Sequence, residues 1–169
     1  MKIYIGFSKP KHGFTPFASV IQWVEARPYD HCYIRFQEPS GEWMIFQASK
    51  EMVNLYNPDL WKAENQSLKE YELEITPDQS TNLWKFITKN LGLPYSLLED
   101  FGILLMKIFH TKSNWFNRDG SAAFCSQLCT QVCQLLGLQI PVDSNTVDPT
   151  ALDSILSQLN LREYSYPVF

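Results

Sequence analysis

Neither a long apolar run nor a basic tract occurs in this sequence, and each absence removes a class of function. The longest apolar stretch, FGILLMKIF at 101–109, contains Lys107 and falls well short of the roughly 20 residues that span a bilayer, so no transmembrane helix is expected. The opening MKIYIGFSKPKHGF reaches Lys9 and Pro10 too soon to form the apolar region of a signal peptide, and export by that route is not expected. Basic residues are outnumbered, 14 against 18 acidic ones, for a formal net charge of −4. The overall field therefore opposes a phosphate backbone, and no nucleic-acid partner is expected. Charged residues are scarce at 19% against 45% hydrophobic, which excludes a disordered chain. Internal repeats and low-complexity tracts are also missing, and 169 residues suit a single core, so one domain is expected over 1–169.

Cysteine is sparse too: four residues, none in a C-x-x-C pair. Three of them lie in AAFCSQLCTQVCQLLGL at 122–138, where Cys125, Cys129 and Cys133 are each four residues apart. On a helix they drift only about 40° per step, so they share one stripe with Leu128, Val132, Leu135 and Leu136. Parallel Cβ vectors keep them from pairing with one another, and free thiols in a reducing compartment are expected. Even spacing along one helix does not match the paired ligand elements of structural zinc or the spacings of iron–sulfur sites, so no metal or other cofactor is expected. Cys129 and Cys133 read as small core residues. Cys125 differs because it falls in the helix's first turn, where unpaired backbone N–H groups and the macrodipole favour a thiolate.

The rest of the chain reads as α+β. KIYIGF at 2–7 alternates as a strand, and TPFASVIQWVEA follows with Thr15 as cap and Pro16 at the first helical position. HCYIRF and EWMIFQAS, joined by QEPSG, predict a hairpin, and EYELEI at 70–75 a third antiparallel strand, with 51–68 between them as loop. Leu83, Phe86, Ile87 and Leu91 predict a helix from Pro77 to Gly92, and another is expected over about 96–109. Gly137 ends the cysteine helix, and Asp148 with Pro149 starts a last one.

A nucleophilic cysteine needs a base, and three histidines are available. His12, beside Gly13, and His110, near Lys112, read as solvated or capping residues. His31 opens the predicted hairpin, and Gln47 near the end of the second strand comes out opposite it, so the carboxamide is placed to orient the imidazole.

DHCYIRFQEPSGEWMIFQA resembles the strand pair of NlpC-type papain-like hydrolases, commonly His-Val-Gly-Ile, a turn, then an apolar run ending in a polar residue and Ala. FCSQL resembles their nucleophile-helix start, Cys-Ser-Glu-Leu or Cys-Ser-Gly-Leu. His31 precedes Cys125, the order of the circularly permuted branch, which includes lecithin:retinol acyltransferase and its relatives. LGLPYSLLEDFG, DPTALDSIL and FTPFASVIQWVEARPYDH resemble further segments of that branch, so the likeness covers residues 3–159. Cys32 stands where Val is usual and Gln127 where Glu is common. The resemblance implies a permuted papain-like fold, with a central antiparallel sheet packed against helices and the nucleophile at a helix N-terminus. It implies Cys125 as nucleophile, His31 as general base and then acid, Gln47 as orienting residue, and an oxyanion held by the Cys125 N–H with Tyr4 or Tyr95 as second donor.

The leading expectation is a cysteine peptidase or amidase acting on a peptide or amide, cell-wall peptides being the commonest substrate of such enzymes. Acyl transfer or lipid deacylation is a second expectation, drawn from FGILLMKIF and the aromatic NWF. A catalytically silent binding or virion-associated module is a third. The expected location is cytoplasmic or phage- or virion-associated, and substrate, acceptor and oligomeric state are not specified by the sequence.

Overall fold

A computed structural model of the chain describes residues 1–11, 29–49, 51–96, 102, 105–106 and 122–167. The helix expected from Thr15, almost all of the one expected over 96–109, and both His12 and His110 lie outside the described residues. The architecture is α+β. Six strands form one sheet: β1 (Lys2–Pro10), β2 (His31–Gln37), β3 (Trp43–Ser49), β4 (Met52–Tyr56), β5 (Asn65–Glu74) and β6 (Arg162–Ser165). Their order is β4-β3-β2-β1-β5-β6, with every neighbouring pair antiparallel. Among the described residues no helix is long and apolar enough to cross a membrane.

Alternation along the strands decides which face carries the core. Ile3, Ile5 and Phe7 of β1, Cys32, Ile34 and Phe36 of β2, and Phe46 and Ala48 of β3 are buried on one face. Against them lie α2 (Pro77–Asn90), α3 (Cys125–Leu135) and α4 (Pro149–Leu156), through Leu83, Ile87, Leu128, Val132, Leu152 and Leu156. Of these, α2 and α4 start on side-chain caps. Thr76 Oγ1 accepts from Gln79 N at 3.2 Å while Gln79 Oε1 accepts from Thr76 N at 2.9 Å, a reciprocal capping box, and Asp148 Oδ1 accepts from Ala151 N at 2.9 Å. Gly137 ends α3 at φ +86°, the left-handed conformation the sequence anticipates there.

The segment 51–68 is not a loop. It holds β4, the short helix α1 (Pro58–Glu64) and the first residues of β5. Asn57 and Pro58, inside the expected loop, are the cap and first residue of α1, with Asn57 Oδ1 accepting from Asp59 N at 2.9 Å. A helix of seven residues is too short to display a period, and α1 is held by one anchor instead. Trp61, fully buried, packs against Tyr33 with ring centroids 4.6 Å apart and planes tilted by 56°, forming a second small core with Ile45 on the opposite sheet face. The edge strand β6 was equally hidden, because REYS is largely exposed and its place comes from backbone pairing with β5.

Tyr33 leans across β1 on that opposite face, and Gly6 makes the approach possible. A Cβ at Gly6 would sit 2.1 Å from Tyr33 Cζ. The ring would have to move, giving up the Tyr33 hydroxyl contacts to Ser67 Oγ at 2.6 Å and Glu70 Oε1 at 3.0 Å. Gly6→Ala is expected to cost about 2 kcal/mol by overpacking, read as a lowered urea midpoint at unchanged slope.

Candidate active site

Three separate pieces of chain meet at one end of the sheet. His31 opens β2, Gln47 lies near the end of β3, and Cys125 is the first residue of α3, which packs on both strands. The approach to α3 is clipped in place by backbone hydrogen bonds. Leu93 O accepts from Val53 N at 2.8 Å, Glu51 O accepts from Tyr95 N at 2.8 Å, and Ala123 bonds both Pro94 O and Ser96 N at 3.0 Å. Ser126 Oγ donates to Val147 O at 2.7 Å and Gln127 Nε2 to Asn145 Oδ1 at 2.5 Å, so the first turn of α3 is also tied to the segment leading into α4.

The strand bearing His31 is anchored from the other side. Tyr29 Oη donates to Asp153 Oδ2 of α4 at 2.5 Å, and Asp153 Oδ1 accepts from Tyr71 Oη at 2.7 Å and Lys69 Nζ at 3.0 Å. Burial pushes the Asp153 carboxyl up, but these donors outweigh it and hold the group below its usual value, ionised. Asp153 thus fixes Tyr29, two residues ahead of His31.

The imidazole stands between Cys125 and Gln47. His31 Nε2 lies 3.0 Å from Gln47 Oε1, and the His31 ring is hydrogen-bonded to the Cys125 thiol. The two strand residues are not directly opposed as the sequence suggests. Ile34 faces Phe46, so His31 and Gln47 are diagonal neighbours, and a side chain of glutamine's length spans that diagonal. Gln47 is buried, with its Nε2 donating to Asn54 Oδ1 at 3.4 Å and its Oε1 also accepting from Trp61 Nε1 at 2.9 Å.

The electrostatics favour an ion pair. A hydrogen bond from Cys32 is the largest influence on Cys125, and with the bond to His31 and the imidazolium charge it outweighs burial and holds the thiol well below its ordinary value of 9.0. Cys32, buried, is pushed well above that value by desolvation and by the neighbouring Cys125 and Cys129, so it stays protonated and donates. For His31, burial pulls the pKa down, yet the bond and charge of Cys125, with Gln47 and Asp30, bring the net shift above 6.5. The helix start adds to this: Phe124, the N-cap, makes no side-chain cap bond, and the first turn of α3 carries no acidic residue.

Of the sequence-expected residues, Cys125, His31 and Gln47 come together. The backbone of Tyr95 lies beside them, bridging Ala123 two residues ahead of Cys125. Tyr4 does not. It pairs with Arg35, four residues along β2 from His31 or roughly 13 Å at the strand rise, and its hydroxyl donates to Glu72 Oε2 at 3.1 Å. Cys129 and Cys133 are fully buried free thiols, and burial pushes Cys133 well above its ordinary value. Sequence reasoning passed over Trp61, Asn54 and Cys32 as site neighbours. The first two lie in the segment taken for a loop. Cys32 was seen merely as an unusual residue beside His31, and its side chain points to the opposite face of β2, onto α3. Among the described residues no group of three or more His, Cys, Asp or Glu is arranged to hold a metal ion.

No family model matches the chain, and no curated protein matches it. Solved structures do. The chain is similar to the metalloprotein yiiX from Escherichia coli O157:H7, described as DUF1105, at TM-score 0.56 and 15% identity, over 98% of this chain and 87% of that one. At that identity the likeness concerns the fold.

Proposed function

We propose that this protein is a cysteine hydrolase of peptidase or amidase type, in a permuted papain-like arrangement, with Cys125 as nucleophile, His31 as base and acid, and Gln47 as the residue that orients His31. The observation that carries this is the continuous hydrogen-bonded series from Cys125 through His31 to Gln47, drawn from three distant parts of the chain. A thiol held low beside an imidazole held high is the charge state a thiolate nucleophile needs near neutral pH. The thiolate attacks an amide carbonyl, and the oxyanion is met by the Cys125 N–H at the uncapped start of α3, with Tyr95 as the second candidate donor. The His31 imidazolium then protonates the leaving amine, and the neutral ring activates the water that resolves the acyl-enzyme. Peptides, including those of cell-wall origin, are the substrate class this reading favours.

The test is turnover on γ-linked and α-linked peptide amides beside short acyl esters, with Cys125→Ala as control. Amide cleavage lost in the variant is the expected result. Ester turnover without amide cleavage would move the assignment to acyl transfer or lipid deacylation, and no turnover of either class, with Cys125 unreactive, would leave a binding module.

A further inference from the structure

The partners of the Gln47 carboxamide fix which end is oxygen, and that orientation reaches His31. An indole N–H can donate and never accept, so the atom 2.9 Å from Trp61 Nε1 must be the amide oxygen. The amide nitrogen is thereby directed to Asn54 Oδ1 at 3.4 Å, and Asn54 is itself held by Nδ2 donating to Met52 O at 3.4 Å. With its oxygen shared between Trp61 and His31, Gln47 presents an acceptor to the ring, so His31 Nε2 must carry hydrogen and Nδ1 is left for the thiol. Were the amide turned over, its NH2 would meet the Trp61 N–H, donor against donor, inside a buried pocket.

We propose that Trp61 is a positioning residue for the Cys125–His31 pair: its indole N–H locks the Gln47 amide in one orientation and so fixes the Nε2–H tautomer of His31. Its place on the sheet face away from the main core supports a role beyond filling space, because α1 brings this buried indole to the polar end of β3. The importance of the lock for turnover rests on the hydrolase reading above. The lock itself does not, since the tautomer is a property of the resting protein.

Side-chain nitrogen NMR on the full chain reads it directly, with His31→Asn identifying the signal. Wild-type protein above the His31 pKa is expected to show Nε2 as the protonated nitrogen, and an Nδ1–H tautomer in the wild type would overturn the proposal without any tryptophan variant. Trp61→Phe keeps an aromatic ring against Tyr33 and deletes the N–H. It is expected to give a mixture of tautomers and a roughly tenfold lower kcat at little change in KM, the scale of one buried hydrogen bond. In a Gln47→Glu background the carboxylate has no donor end to turn over, so Trp61→Phe should change tautomer and rate by less than about twofold. A loss equal in both backgrounds would mark Trp61 as a packing residue and overturn the lock. Tautomer results as expected with no turnover of any substrate would instead retire the hydrolase reading and leave the lock standing.

Discussion

Iodoacetamide at neutral pH is expected to alkylate Cys125 at least roughly a hundredfold faster than Cys129 or Cys133, and Cys125→Ala to lower amide turnover roughly 10⁴-fold or more. The thiols share a helix and differ in surroundings. Cys125 begins α3 next to an imidazole and a thiol donor, whereas Cys133 is buried in the core with its pKa pushed up. The pH dependence follows from the two directions of shift. Cys125 ionises below 9.0, so reactivity persists on the acid side of an ordinary cysteine, and His31 keeps its proton above 6.5. Turnover should therefore rise as Cys125 loses its proton and fall as His31 loses its own, with both limbs belonging to the coupled pair. Cys32→Val removes the foremost donor to Cys125 and should move the acid limb of alkylation to higher pH, and His31→Asn should move it the same way. Equal labelling of Cys125, Cys129 and Cys133 would end the activated-thiolate account. Peptide mapping by mass spectrometry after timed alkylation provides the measurement.

Unfolding in urea should show the second large effect at the Arg35–Glu70 pair. Arg35 Nε and Nη2 donate to the two oxygens of Glu70 at 2.8 and 2.5 Å, and both side chains are almost wholly buried, at 8% and 1% exposure. Tyr33 Oη adds a third bond to the carboxylate, and the guanidinium stacks on Tyr4 at 4.0 Å and on Trp43 at 4.7 Å. Glu70→Ala strands a buried guanidinium without its carboxylate and is expected to cost about 3–5 kcal/mol. Replacing both, as Arg35→Met with Glu70→Leu, removes the desolvation cost together with the attraction and should stay within about 1 kcal/mol of wild type. Loss of similar size in the double variant would show that the pair itself, rather than the avoidance of a lone buried charge, carries the stability.

Much of this structure could be read from local pattern. The β-rich runs HCYIRF and EWMIFQAS with the QEPSG turn between them marked the hairpin, and Pro77 and the Asp148 cap marked helix starts that the fold uses as written. Cys125 stood out because a first-turn position has a chemical consequence that a mid-helix position lacks. Hidden from that approach were β4, α1 and β6, where the run is short, polar at its centre or exposed, and where pairing or a single anchor such as Trp61 supplies what periodicity does not.

The sequence by itself determined the α+β class, the hairpin, the stripe shared by the three cysteines of α3, and the residue types able to form a thiol, imidazole and carboxamide series. Only the tertiary structure decided that Tyr4 lies away from the pair, that His31 meets Gln47 along a diagonal, and that Cys32 and Trp61 flank the series from opposite faces of the sheet. The physical reason is range. Propensity, capping and amphipathic period act over a few neighbouring residues, whereas a hydrogen bond from residue 61 to residue 47, or a thiol contact from residue 32 to residue 125, exists only once sheet register and helix packing have brought distant segments together.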